Sequence, residues 1–377
     1  MPIADGIWVM RRYLFWAAAL ASVLLSSQPL QAGLYNTDEP YRGPRLGDNG
    51  ATALGFSQFR DLLTTNLGIA VTLQESPTRK HYLEKSAELE RKARAGGLST
   101  QEKVNLSEYL IRLGKVEEAV QLLTPVASQE RSNFMVFANL ATAHQLAGRL
   151  ERALFNLQEV RSLWPREWPG LKKEELDWYK EVEKYHLKLV RLRYRETLSA
   201  GKAKGSETLD ALFGDDNGPL QFVGDNGHFQ AGKLAAKEQK KLPKEAVPIV
   251  QQLLLWIPGA APGMEDTRLY WLLGELYNAQ GFTSNAAYIY DRCVWSHRFP
   301  ATELREHQKI VKAALPEPEA IAKTPTRNQS PVPATSLPET RPLDLRQVAI
   351  MGSVAGAVVL GLLYLQLREL KRRHKTS

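Results

Sequence analysis

A period of 34 residues constrains this chain more than any other feature. The stretch NLATAHQLAGRLERALFNLQEVRSLWP, Asn139 to Pro165, repeats the pattern of NLSEYLIRLGKVEEAVQLLTPVA, which begins 34 residues earlier at Asn105. Leu106 pairs with Leu140, Gly114 with Gly148, Glu117 with Glu151, Ala119 with Ala153, Leu123 with Leu157 and Val126 with Val160. A third copy, YWLLGELYNAQGFTSNAAYIYDRC, places Tyr270, Leu273, Gly274, Tyr277, Gly281, Ala286 and Tyr290 at the same offsets. A fixed period of this size, with two apolar helical runs per unit, means stacked helix pairs. Small residues at Ala119, Ala141, Ala153, Gly274 and Ala286 let the two helices of a pair approach closely, and Gly114, Gly148 and Gly281 end the first helix of each.

In this spacing the chain resembles the tetratricopeptide repeat. FANLATAH gives an aromatic at Phe137, then Leu140, Ala141 and His144, and Ala153, Leu157 and the closing Pro165 follow at that family's intervals. The third copy departs only at its end, where Pro300 stands two residues late. The resemblance implies an all-α solenoid of helix–turn–helix pairs.

The rest of the chain is divided around these copies. Residues 33–98 form an N-terminal segment with capping helices, one suggested by SQFRDLLTTNL and one from about Arg79 to Ala95. Ser99 with Glu102 reads as a capping box that opens the two repeats of 99–167. Residues 168–266 hold a split helical pair, about Lys172 to Leu198 and Lys244 to Ile257, with an insert at about 200–240. The insert has turn residues around the apolar run Leu220 to Val223, and a small β-hairpin is expected there. Residues 267–312 are the last repeat and a trailing helix. Trp164, Trp168, Trp178, Trp256, Trp271 and Trp295 fall in these helices and suit packing between successive pairs.

Both ends predict export. Residues 1–32 carry Arg11 and Arg12, an apolar run from Tyr13 to Leu25 and small residues before Gly33, which is the order of a signal peptide. Residues 347–367 contain the uncharged run VAIMGSVAGAVVLGLLYLQL, and 20 residues of helix rise about 30 Å, the thickness of a bilayer's hydrocarbon core. The basic tail 368–377 then stays on the cytoplasmic side. Within the span Gly352 and Gly356 form a GxxxG pair that could dimerise the helix. Residues 313–346 are proline-rich and expected to be an extended linker.

The net charge of +8 comes largely from the ends: the tail carries +4 and the leader +1, which leaves +3 for residues 33–367. That is poor ground for a nucleic-acid partner. The single cysteine, Cys293, excludes a disulfide within the chain. GHFQAGKL has the glycine and lysine spacing of a phosphate-cradling loop at Gly227, Gly232 and Lys233, but Leu234 stands where a hydroxyl must hold magnesium. Asp215, Asp216, Asn217, Asp225 and Asn226 lack the alternation of a calcium loop and read as turns. The histidines show no zinc spacing. Lys188, Arg191, Arg193 and Arg195 could meet an acidic partner, or form the solvated face of a long helix.

No catalytic residue, metal ligand or cofactor is therefore expected. In the family resembled, the first helix of each pair lines a concave groove that often binds peptides. The resemblance implies that Glu108, Arg112, Thr142, Gln145, Arg268, Trp271, Glu275 and Asn278 project into it, with Arg112, Gln145, Arg268, Trp271 and Asn278 as binding side chains. Val104 and Glu108 stand where one subgroup's carboxylate clamp has Lys and Asn, so that specificity is not expected. The reading is a scaffold for proteins or peptides, held by one C-terminal helix at the inner membrane of a bacterium with its body outside the cytoplasm. The alternative is a nucleotide- or metal-binding sensor or enzyme built on the 200–240 insert.

Overall fold

Ser99 starts the first repeat as its sequence requires. Its Oγ accepts from the Glu102 backbone N–H at 3.3 Å, and the Glu102 carboxylate accepts from the Ser99 N–H at 3.0 Å. In the computed structural model the described residues are 34–38, 43–47, 50–66, 77–168, 172–199, 207–259 and 265–316. They are mostly helical. The order is β1 (Arg45–Gly47), β2 (Gly50–Thr52), α1 (Phe56–Asn66), α2 (Pro77–Gly96), α3 (Thr100–Arg112), α4 (Val116–Gln129), α5 (Phe134–Leu146), α6 (Leu150–Leu163), α7 (Lys173–Ser199), β3 (Gly214–Asp215), β4 (Gly218–Pro219), α8 (Ala236–Gln239), α9 (Ala246–Trp256), α10 (Thr267–Ala279), α11 (Thr283–Asp291) and α12 (Thr302–Ala313). From α1 to α7, and again from α9 to α12, each helix packs on the next.

The three glycines of the repeat end their helices in one way. Gly114, Gly148 and Gly281 take φ of 78°, 71° and 83°. After each, the next residue's N–H reaches back five residues, from Lys115 to Leu110 O, from Arg149 to His144 O and from Phe282 to Tyr277 O. The glycine N–H itself bonds the carbonyl three residues back, at Ile111, Gln145 and Asn278. This double closure needs a left-handed residue, which glycine adopts without strain. At the third turn the rings of Tyr277 and Phe282 meet edge to face, centroids 6.2 Å apart. Gly274 serves packing instead. A β-carbon there would stand 2.7 Å from the Tyr290 ring and 3.0 Å from Ile289, so α10 and α11 approach as closely as they do only because it has none.

The core does not end between paired helices. Every residue of α9 is buried, as are residues 268–278 of α10, 134–145 of α5 and 104–112 of α3. A helix buried on all sides needs a second wrapping. Here α9 packs against α1 and α7 as well as α10, and α7 also contacts β1. Gln251 of α9 clasps the backbone of Leu54, accepting from its N–H at 2.8 Å and donating to its carbonyl at 2.9 Å.

Two local expectations are corrected and one strand pair is added. The hairpin pairs Gly214–Asp215 with Gly218–Pro219, not the run at 220–223, because Gln221 N–H is taken by Glu238 and Val223 O by Ala235 N–H. The antiparallel pair β1–β2 was not foreseen. Trp295 does not pack between repeats: it is 69% exposed, on a single π-helical turn at Arg292–Ser296. The signal at 1–32, the span at 347–367 with Gly352 and Gly356, the tail at 368–377 and all but the first four residues of the linker lie outside the described residues. Among the described residues no helix is long and apolar enough to cross a membrane.

Candidate functional site

The face expected to be an open groove is covered by the chain itself. Residues 34–37 lie on α3 and α5, and Leu34, Tyr35 and Asn36 are each 0% exposed. Asn139 of α5 holds the Tyr35 peptide from both sides, accepting from its N–H at 2.7 Å and donating to its carbonyl at 3.1 Å. Asn105 of α3 accepts from the Thr37 N–H at 3.0 Å. Asn36 donates to Glu108 at 3.2 Å, and the Tyr35 hydroxyl donates to Glu183 of α7 at 3.2 Å. Two asparagines thus satisfy a backbone that would otherwise be buried without partners.

The five expected binding side chains are corrected accordingly: all are buried. Arg112 bonds Glu108 at 2.8 Å and the Leu255 carbonyl at 2.7 Å. Gln145 meets His186 of α7 at 2.7 Å. Arg268 pairs with Glu196 at 2.7 Å and with Asp210 of the insert at 2.8 Å. Trp271 donates to the buried Glu275 at 2.6 Å, which also meets His307 of α12 at 2.8 Å. Asn278 accepts from the Gly232 N–H at 2.8 Å and donates to Gln230 O at 2.9 Å. Gly232 therefore spends on Asn278 the amide that a phosphate-cradling loop would direct at its ligand. Asp215 accepts from the Asn217 N–H at 2.9 Å, and Asn226 from that of His228 at 3.0 Å, as in turns.

What stays open is a cleft between α6 and α7, a cavity of about 690 Å³. Its floor is Leu157, Val160, Trp164, Leu187 and Leu192. Its rim is Arg161 from α6 and Lys180, Lys184, Lys188, Arg191 and Arg195 from α7, against one carboxylate, Glu183. Burial pushes the Lys188 ammonium pKa down. Arg193, in the same basic run, is absent from the rim. It is drawn to the other side of α7, pairing with Asp210 at 2.7 Å and Asp266 at 2.6 Å, so the run is not one solvated face. The signal for the rim was present in the spacing 180, 184, 188, 191, 195. The contribution of Arg161 and the apolar floor depends on which helix packs beside α7.

A second cleft of about 520 Å³ lies between the insert and α12. His307 lines it, stacked on Phe229 with ring centroids 3.6 Å apart. Among the described residues no group of three or more His, Cys, Asp or Glu could hold a metal ion. Comparison with known proteins brings no relative: no family model, no curated protein and no solved structure matches the chain.

Two buried groups set an acid limit on the fold. Burial holds the His144 pKa down at about 4, helped by Arg149, whose Nε donates to His144 Nδ1 at 3.1 Å. The unfolded chain takes up that proton near pH 6.5, so His144 withdraws stability as pH falls from 6.5 to 4. Burial would raise the Glu265 carboxyl, but His297 and Arg292 override it and hold it at about 2. Its contribution is present above pH 4.5 and is lost as pH falls towards 2. Urea midpoints measured from pH 7 to pH 4 should fall for the wild type and fall less for His144→Gln. Equal slopes would remove His144 as the cause.

Proposed function

We propose that this chain is a tetratricopeptide-repeat-like scaffold, exported and held at a bacterial inner membrane by one C-terminal helix, which binds another protein and carries out no covalent chemistry. The α6–α7 cleft carries the reading. Its wall offers Arg161, Arg191, Arg195 and Trp164, residue types that interface anchors use, on two packed helices. The glycine closures at the repeat period support the solenoid part of the reading. The face that the family uses for peptides is taken in cis by residues 34–37, which moves the expected binding surface to the neighbouring cleft.

The test is crosslinking in intact cells, followed by purification through a tag on the body. The wild type should capture one reproducible partner. Lys184→Glu with Lys188→Glu should lose it, while Arg305→Glu with Lys309→Glu, the same charge change on the exposed side of α12, should keep it. A partner that survives the first pair would remove the cleft from the reading, and capture of no partner at all would remove the scaffold.

A further inference from the structure

On a helix the positions 180, 184, 188, 191 and 195 fall within an arc of about 80° and span about 22 Å along the axis. The five cations of α7 therefore form one straight stripe. Lys184 pairs with Glu181 one turn away. Arg161, Lys180, Lys188, Arg191 and Arg195 have no ion-pair partner among the described residues. Among the described residues the lining holds one carboxylate, Glu183, which is buried, with one oxygen accepting from the Tyr35 hydroxyl and the other 3.5 Å from His186 Nδ1. Beside the stripe runs the apolar floor, with Leu187 and Leu192 from α7 and Leu157, Val160 and Trp164 from α6. The stripe covers about four helical turns, and the floor lies beside its middle, with Leu157, Val160 and Leu187 nearly buried and Trp164 and Leu192 presenting most of its accessible apolar surface.

A flat anionic surface would use the cations and leave the floor wet. A nucleic-acid backbone would do the same. A helix with one acidic and one apolar face satisfies both at once, because residues three and four apart share a face and match the spacing of the stripe. We propose that the α6–α7 cleft receives an acidic amphipathic helix of a partner protein, about 15 residues long, with its carboxylates on the α7 stripe and its apolar face on the floor. This rests on the scaffold reading and specifies its ligand.

The experiment uses the full-length chain in phosphatidylcholine nanodiscs and a synthetic 18-residue peptide with leucines on one helical face and glutamates flanking them. Two controls are a scrambled peptide of the same composition and a version with Lys for every Glu. Peptide anisotropy and the emission of Trp164, read against Trp164→Phe, report binding at about 0.15 M salt, where charges more than ~8 Å apart are screened. The acidic amphipathic peptide should bind at least tenfold more tightly than either control. Lys184→Glu with Lys188→Glu should weaken it at least tenfold without changing the thermal midpoint, and Lys184→Gln with Lys188→Gln should weaken it less. Equal binding of the scrambled peptide would overturn the proposal, since charge alone would then suffice. Tighter binding to phosphatidylglycerol nanodiscs or to a single-stranded oligonucleotide would overturn it in favour of those ligands, and absence of binding would overturn it outright. If the cell crosslink still yields a cleft-dependent partner, only the ligand class has failed and the scaffold stands.

Discussion

Asn139→Ala is expected to lower the stability of the chain by about 4 kcal/mol, seen as a drop in urea midpoint. The side chain accepts from the Tyr35 N–H, and the two hydrogens of its Nδ2 are shared among Tyr35 O, Val104 O at 3.3 Å and Ser107 Oγ at 3.0 Å. Alanine removes the acceptor and both donors. It leaves the Tyr35 peptide in a dry site, where each unpaired group costs about 1–3 kcal/mol. The segment has one escape, which is to leave the face and hydrate. That exposes Leu34 and Tyr35, and wetting two large apolar side chains costs about 3–5 kcal/mol. The two routes cost about the same, so the loss is large either way. Protease cleavage near residues 34–38, faster in the variant, would identify release. A loss below about 1 kcal/mol would mean that the Tyr35 backbone finds other partners.

The contrast between Gly148 and Asn139 explains what the sequence could reveal. The role of Gly148 is local: its φ and the two hydrogen bonds of the turn involve residues within five positions. Gly114 and Gly281 repeat it, so period and turn chemistry suffice to read the helix pairs. The same holds for the Ser99 cap and for Gly274, whose small size marks a close crossing. Asn139 acts on a residue 104 positions away. Nothing within one period says that residues 34–37 will lie there, and GLYNT reads as a border after the leader. Polarity also misled. Arg112, Arg268 and Asn278 look exposed because they are polar, yet a buried polar side chain is equally stable when its partner is polar too. One signal was available: AVPIVQQLLLW is apolar except at Gln251 and Gln252, too apolar for a helix with a solvated face, which demands cover on most sides. The cleft was half legible for the same reason. The α7 stripe is a spacing on one helix, whereas Arg161 and the floor need the packing of α6 on α7.

The second large effect is expected at Arg193, on the side of α7 opposite the stripe. Arg193→Met should cost about 4 kcal/mol, the usual size when one partner of a buried ion cluster is removed. The guanidinium bridges Asp210 of the insert and Asp266, which also accepts from the Leu269 N–H at 3.0 Å and so caps α10. Burial works against the Arg193 charge, but the two carboxylates hold it firmly protonated. Burial likewise pushes the Asp266 pKa up, and Arg193 more than reverses it. Without Arg193 the cation left beside these acids, among the described residues, is Arg268, which pairs with Asp210 and which Glu196 already shares. Adding Asp210→Asn should therefore restore about half of the loss, because the uncompensated charge goes with it. Both sets of variants are read by urea unfolding with a constant m-value as the check on two-state behaviour. If the second substitution deepens the loss instead, Asp210 stabilises through its hydrogen bonds more than its charge costs, and the cluster is a hydrogen-bond frame. Either result should leave the rim cations in place, since Arg193 faces away from them. Binding lost on Lys184→Glu with Lys188→Glu and stability lost on Arg193→Met would then separate the two faces of one helix, one that recognises and one that anchors.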